Sequence, residues 1–290
     1  MKRREFIRHT AYGLGAAWLA GKSIVSEASP LPPLPRKFSA SDTVTLGNTG
    51  IRTSRLAMGT GTVGSGHHSH QTALGVSGLS ALLLSGYDNN GLRFFDTADS
   101  YGSHPHVAEA LKHVPRDKVT VLTKTWARDP GTARADLDRF RRELGTDHLD
   151  IVLMHCVTEA DWTERYKGVM DVLSEAKQKG IIRAHGCSCH SIEALRAAAK
   201  SPWVEVDLVR LNPIGSHMDA DPETVKGVLR EMKVSGKAIV GMKVLGQGDM
   251  RDRLDEALNH ALGFGLLDAF TIGAESKAEQ DDLVRRIAAA

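Results

Sequence analysis

The feature that most constrains this chain is a repeated alternation. From residue 43 onward, short β-rich runs exchange with stretches of helical apolar period. That is the pattern of βαβ units, in which crossover helices join parallel strands. Candidate strands fall at 55–59, 93–96, 119–124, 150–155, 182–186, 208–211, 238–243 and 269–273. Helical patterns at 133–144, 162–179, 222–233, 251–262 and 277–289 lie among them. A hairpin of 43–46 and 51–54, turning through Gly47 and Gly50, precedes the series. Eight strand–helix units in about 240 residues suit an α/β fold of the (β/α)8 TIM barrel type with an N-terminal β-hairpin, spanning 42–290 as one domain. An open doubly wound sheet is the competing architecture.

The N-terminus reads as an address. Lys2-Arg3-Arg4-Glu5-Phe6 is a twin-arginine pattern, and the weakly apolar run 11–20 after it is too short to span a bilayer. Ser26 and Ala28 place small residues before a cleavage point. Residues 1–28 are therefore expected to be a twin-arginine signal peptide read by the export machinery, with delivery to the periplasm or outside the cell. Residues 29–41, opening Ser29-Pro-Leu-Pro-Pro-Leu-Pro35, read as a stiff linker. The formal net charge is +2, and the first 28 residues hold five basic and two acidic side chains, so the remainder stands at −1. A nearly neutral mature protein offers no basic field for nucleic acid. Three cysteines are too few for a disulfide scaffold.

In a barrel of this kind, chemistry collects at the C-terminal ends of strands. Asp96 ends the second candidate strand, with Tyr101 five residues on; Lys124 ends the third and His155 the fourth. Singly, these read as a helix cap, a packing tyrosine and solvated strand ends. Together they match what carbonyl reduction requires. A proton must reach the oxygen as hydride reaches the carbon, and a free phenol titrates near 10, too high for an efficient acid. An ammonium beside the phenol lowers that value, and a carboxylate keeps the ammonium charged and oriented. A histidine can hydrogen-bond the carbonyl oxygen and favour the developing alkoxide. Tyr101, Lys124, Asp96 and His155 fill these roles.

These residues also carry a resemblance. Asp96-Thr97-Ala98-Asp99-Ser100-Tyr101-Gly102 is similar to the D-T-A-x-x-Y-G signature of the aldo/keto reductases. Leu122-Thr123-Lys124 and Leu149 to His155 resemble that family's lysine and histidine motifs, and Leu46 to Gly50 with Met58-Gly59-Thr60 its opening hairpin and first strand. The resemblance implies a small-molecule carbonyl substrate, a bound NADP(H) and no metal. It assigns Ser188 and Asn212 to the nicotinamide amide, and Met242 and Lys243 to the ring and its surroundings. Gly273, Ser276 and Lys277 fall in the phosphate-binding turn. Several positions depart from the pattern. Cys189 replaces an asparagine, Leu208 a glutamine and Met242 an aromatic residue, while Glu279 stands where a basic residue grips the 2′-phosphate. NADP(H) is the expected cofactor, with NAD(H) tolerated. The weakened contacts keep two alternatives open: a cofactor-binding sensor with little turnover, and a cofactor-free barrel isomerase or lyase.

A metal reading of Cys187, Cys189, His190, His155 and Cys156 meets an objection, because alternate strand residues face opposite sides and the spacing fits no closed four-ligand site. His67, His68 and His70 are expected to be solvated, and His104 and His106 to lie at the pocket rim, in a cap or in solvent. The chain ends with its last helical pattern, without the loop that covers the substrate pocket in many relatives, which suggests an open site.

Overall fold

The computed structural model describes residues 37–290; the twin-arginine segment and most of the proline-rich linker lie outside them. Ten strands and nine α-helices follow in order: β1 (Thr43–Thr45), β2 (Arg52–Ser54), β3 (Leu56–Gly59), α1 (Gly75–Asn90), β4 (Phe94–Asp96), α2 (His104–Leu111), β5 (Thr120–Thr125), α3 (Pro130–Leu144), β6 (Leu149–Val157), α4 (Trp162–Arg165), α5 (Lys167–Gln178), β7 (Ile182–Cys189), α6 (Ile192–Lys200), β8 (Val206–Arg210), α7 (Pro222–Val234), β9 (Ala238–Met242), α8 (Leu254–Gly263), β10 (Ala269–Ile272) and α9 (Lys277–Ala289). Strands β3 to β10 are parallel and close into an eight-stranded barrel, with β10 beside β3. The expected barrel and hairpin are both present.

Strand alternation sorts the apolar side chains into two layers. Ala57, Phe94, Leu122, Leu153, Val206, Leu208 and Val240 fill the barrel interior. Their neighbours on the opposite face, among them Val121, Val152, Met154, Ile239 and Phe270, pack under the helices. The hairpin β1–β2 plugs the N-terminal end of the barrel with fully buried Leu46 and Ile51. Its turn needs glycine: Gly47 has φ +46°, and a Cβ there would lie 2.4 Å from the Ala238 amide nitrogen.

Local signals set the helix ends. Asp129 caps α3 by accepting from the Thr132 amide, Pro130 sits in the first turn, and Gly145 closes the helix in the left-handed region at φ +62°. The pattern at 162–179 resolves into α4 and α5, because Tyr166 leaves helical geometry (φ −106°, ψ 22°) and donates its hydroxyl to Glu159. Packing against the barrel begins before residue 41. Ala40 is fully buried, its carbonyl accepts from the Leu56 amide, and Phe38 packs on the outer core.

Candidate active site

Asp96, Lys124 and His155 from three strands and Tyr101 from the loop after β4 converge at the C-terminal mouth of the barrel. Register places Asp96 beside Gly59 on one side and Leu122 on the other, so β5 brings Lys124 up next to β4. Lys124 Nζ donates to Asp96 Oδ1 at 2.6 Å and to the Thr97 carbonyl at 2.8 Å, and the lysine is fully buried. The second carboxylate oxygen of Asp96 accepts from Thr271 Oγ1 at 2.9 Å, tying β10 to the same pair. Tyr101 leaves a single 3-10 turn that ends at Gly102. Its ring centre lies 4.7 Å from Lys124 Nζ and 5.6 Å from the His155 ring, edge-on.

The electrostatics refine the expectation for the phenol. Burial pulls the Lys124 pKa down, but Asp96 and Tyr101 together more than offset it, so the ammonium stays charged. Burial pushes Tyr101 above its ordinary value, and Lys124 opposes that only in part. The expected net lowering is therefore corrected: the phenol holds its proton more firmly than free tyrosine does. His155 is held well below the usual histidine value by burial, then by Lys124, His190, Arg128 and Lys243. It is a neutral imidazole at neutral pH, with Nδ1 3.3 Å from Ser100 Oγ.

A loop after β3 packs against the phenol ring. Gly61 and Gly64 lie flat against the Tyr101 ring, where a Cβ would come within 2.2 Å and 2.4 Å of its carbons. With Gly59 these glycines show the G-x-G-x-x-G spacing of a dinucleotide-binding βα turn, yet α1 begins only at Gly75. Further along, Gln71 accepts from the Thr62 amide at 2.8 Å, and His70 Nδ1 meets Glu275 Oε1 at 2.8 Å. His67 and His68 are exposed, as expected of this segment. His104 is not at the rim: it is buried between Glu143 and Thr123, at 2.7 Å and 2.8 Å, and His106 is buried as well.

The cofactor positions divide. Ser188 is buried and accepts from the Cys156 amide at 3.0 Å, which leaves its hydroxyl proton free for an acceptor such as a nicotinamide carbonyl. Met242 ends β9 facing the barrel interior, and Lys243 follows with φ +54°. Asn212 is already committed: its Nδ2 donates to the Ser216 and Lys243 carbonyls and its Oδ1 accepts from the Ser216 amide, so it shapes the loop after β8. Gly273 is where the first loop touches the last, since a Cβ there would lie 2.6 Å from both Gln71 and Thr62. Ser276 caps α9, accepting from the Glu279 amide at 3.2 Å, and Lys277 is exposed beside it. The Glu279 carboxylate reaches back to the Glu275 amide at 2.8 Å. The residues present thus fit the nicotinamide end of a dinucleotide, while the turn before α9 presents acid where a phosphate needs donors.

Sequence reading left Arg128 and Arg210 out of the site. Arg128 Nη2 donates to the His155 carbonyl at 2.6 Å, and its guanidinium lies over Trp126 and Tyr166. Trp126 is 47% exposed and 5.1 Å from His155, so it forms the open side of the mouth. Arg210 ends β8 paired with Asp219 and, with Lys243, depresses the His190 imidazole to about 3, burial being the larger cause. No short motif marks either arginine.

Comparison with known proteins places the chain in a family. Residues 55–262 match the aldo/keto reductase family, and the chain belongs to that family. It is 29% identical over 178 residues to the 9,11-endoperoxide prostaglandin H2 reductase of Trypanosoma cruzi, covering 60% of this chain and 58% of that enzyme. It is 26% identical over 190 residues to the NADH-specific methylglyoxal reductase of Escherichia coli, covering 58% and 57%. The chain thus spans somewhat under three fifths of the length of these curated relatives. Among solved structures, an aldo-keto reductase of Bacillus halodurans in its holo form superposes with a TM-score of 0.70 at 17% identity, covering 85% of this chain and 91% of that one.

Proposed function

We propose that the protein is a nicotinamide-dependent carbonyl reductase acting on small carbonyl compounds, with Tyr101 as the general acid. The observation that carries this reading is the sealed Lys124–Asp96 ion pair beside the Tyr101 ring. A buried ammonium with a fixed carboxylate partner is costly to build, and strongly perturbed groups of this kind collect where chemistry needs them. A bound nicotinamide would supply the hydride. Tyr101 keeps its proton through the neutral range and can deliver it to the substrate oxygen as negative charge builds there. Lys124 stabilises the phenolate left behind, and Asp96 holds the ammonium in place. His155 stays neutral; with Ser100 donating to Nδ1, its Nε2–H is free to donate to the same oxygen. Trp126 offers an apolar wall at an open mouth, which suits small substrates of loosely defined shape.

Ser188 would hold the nicotinamide amide, and Lys243 with the turn from Gly273 to Lys277 the phosphates. NADP(H) is the family habit. The Glu279 carboxylate on the Glu275 amide instead favours NAD(H), because a 2′-phosphate would meet negative charge there. Residues 1–28 support export through the twin-arginine machinery to the periplasm or beyond, a route that suits a protein folded before it leaves. Among the described residues, no helix is long and apolar enough to cross a membrane.

The test is Tyr101→Phe. Turnover on a carbonyl panel should fall by about 10²–10⁴-fold, while dinucleotide affinity, followed through tryptophan fluorescence, stays within about twofold. Undiminished turnover would refute the assignment. Replacing Arg3 and Arg4 by lysine should leave the protein in the cytoplasm.

A further inference from the structure

Strand alternation separates Cys187 and Cys189 from Ser188, and it also puts both thiols on one face. They lie on the outer side of β7, fully buried under the helices, and register places Asp207 of β8 directly beside Cys187. The two Sγ atoms are 3.7 Å apart, Cys187 donates to Asp207 Oδ1 at 3.4 Å, and the three ligating atoms all lie within 4.8 Å of one another. Asp207 is itself fully buried, and its second oxygen, Oδ2, has no hydrogen-bond partner. An orphaned carboxyl oxygen in a dry interior bears its full desolvation penalty, which a core of ordinary cysteines does not explain.

The spacing matches a metal. A zinc–sulfur bond of about 2.3 Å at the tetrahedral angle separates two sulfurs by about 3.8 Å, and a zinc–oxygen bond of about 2.1 Å puts sulfur and oxygen about 3.6 Å apart. Lys237 is buried close by, its ammonium bonded to the Ser201 and Val204 carbonyls, and its charge acts on both Cys187 and Asp207. A divalent ion with two thiolates and a carboxylate carries net −1, which Lys237 neutralises. The cluster of Asp99, His104 and Glu143 offers no such site, because Arg139 already holds both carboxylates.

We propose that Cys187, Cys189 and Asp207 form a binding site for a thiophilic divalent cation of the zinc class, with a water as fourth ligand. The two thiol protons, and the Asp207 proton where burial has kept it on, pass to water as the ion enters, and no electrons move. Because the site is sealed, the ion is taken up during folding. Its position behind Ser188 would also fix that strand end, on the reading that Ser188 holds the nicotinamide.

The test is to refold the full chain with Co²⁺ as the probe, remove free ion, and record the thiolate-to-cobalt charge-transfer band and the metal content. About one Co²⁺ per chain with a tetrahedral spectrum is expected. Cys187→Ser and Asp207→Asn should each weaken retention at least tenfold, whereas Cys156→Ser should keep it. Absence of bound Co²⁺ in the wild-type chain would overturn the proposal, as would equal retention in Cys187→Ser or loss in Cys156→Ser. If a variant fails to fold, native mass spectrometry of wild-type protein expressed in zinc medium decides: one zinc per chain supports the site, while a zinc-free chain or a mass two protons low from a Cys187–Cys189 disulfide excludes it. None of these readouts depends on turnover.

Discussion

Lys124 Nζ lies 2.6 Å from Asp96 Oδ1 with both groups shut away from solvent, so neither charge has a second partner of opposite sign within the bond. Removing one half strands the other. Asp96→Asn should therefore destabilise the fold by about 3–5 kcal/mol and depress the Lys124 pKa, since burial would then be opposed by Tyr101 alone. Replacing both, as Asp96→Leu with Lys124→Met, should recover much of the loss while leaving turnover abolished. Urea denaturation of Asp96→Leu, Lys124→Met and the double gives the coupling directly. Additive losses would mean that the pair is not the coupled unit described.

His155 makes a pH prediction with a definite sign. Its folded pKa lies well below 6.5, so the unfolded chain binds its proton first. The stability it contributes is full above 6.5 and is lost as pH falls toward the folded value, at up to about 1.4 kcal/mol per pH unit. His155→Gln should flatten the stability–pH curve between about 6.5 and 5, relative to wild type. In activity, the imidazole stays neutral through that window and Tyr101, raised above 10, stays protonated. The kcat/KM for reduction should show neither a histidine inflection near 6.5 nor a tyrosine inflection below 10. A bell centred on neutrality would contradict both.

Much of this architecture is legible in the sequence because strand ends carry their own marks. Asp96, Lys124 and His155 each close a β-rich run, and the barrel converts that shared position into proximity. The glycine run is a different case. Gly59, Gly61 and Gly64 have the spacing of an open-sheet nucleotide turn, and only the closed barrel shows Gly61 and Gly64 pressed on Tyr101, and Gly59 against Thr271 and Gly273, instead of opening a helix. His104 was illegible for a related reason: its partners Thr123 and Glu143 sit 19 and 39 residues away. Arg128 and Arg210 escaped notice because what places them is the barrel rim itself. The direction of the Tyr101 shift was also hidden, since sequence names the nearby ammonium but not how deeply the phenol sits in the barrel mouth.

Gly61 offers a way to move the phenol without touching it. A Cβ there would lie 2.2 Å from Tyr101 Cε2, closer than atoms can sit, so Gly61→Ala must displace either the ring or the loop. A shift of about 1 Å in a reacting group costs on the order of 10²-fold in rate. The variant should lose about that much kcat and still fold, because the loop is anchored separately through Gln71. Gly227→Ala is the control: it lies in α7 with nothing within 4 Å of an added Cβ, and should leave kcat unchanged. Equal kcat in both variants would remove the loop from the positioning of Tyr101.

Cofactor choice turns on Glu279. Its carboxylate occupies the Glu275 amide at 2.8 Å, in the first turn of α9, where the helix N-terminus would otherwise attract an anion. The acid does for the helix what a phosphate could do, and it repels one. Glu279→Gln removes the charge while keeping an acceptor, and Glu279→Lys reverses the charge. The ratio of NADPH to NADH dissociation constants should fall by several-fold in the first and at least tenfold, about 1.4 kcal/mol, in the second. Stability should drop by no more than about 1 kcal/mol, because Ser276 still caps the helix. Fluorescence titration with both dinucleotides measures the ratio, and thermal unfolding measures the cost. A ratio that stays constant across wild type, Gln and Lys would place the adenosine end of the cofactor away from this turn.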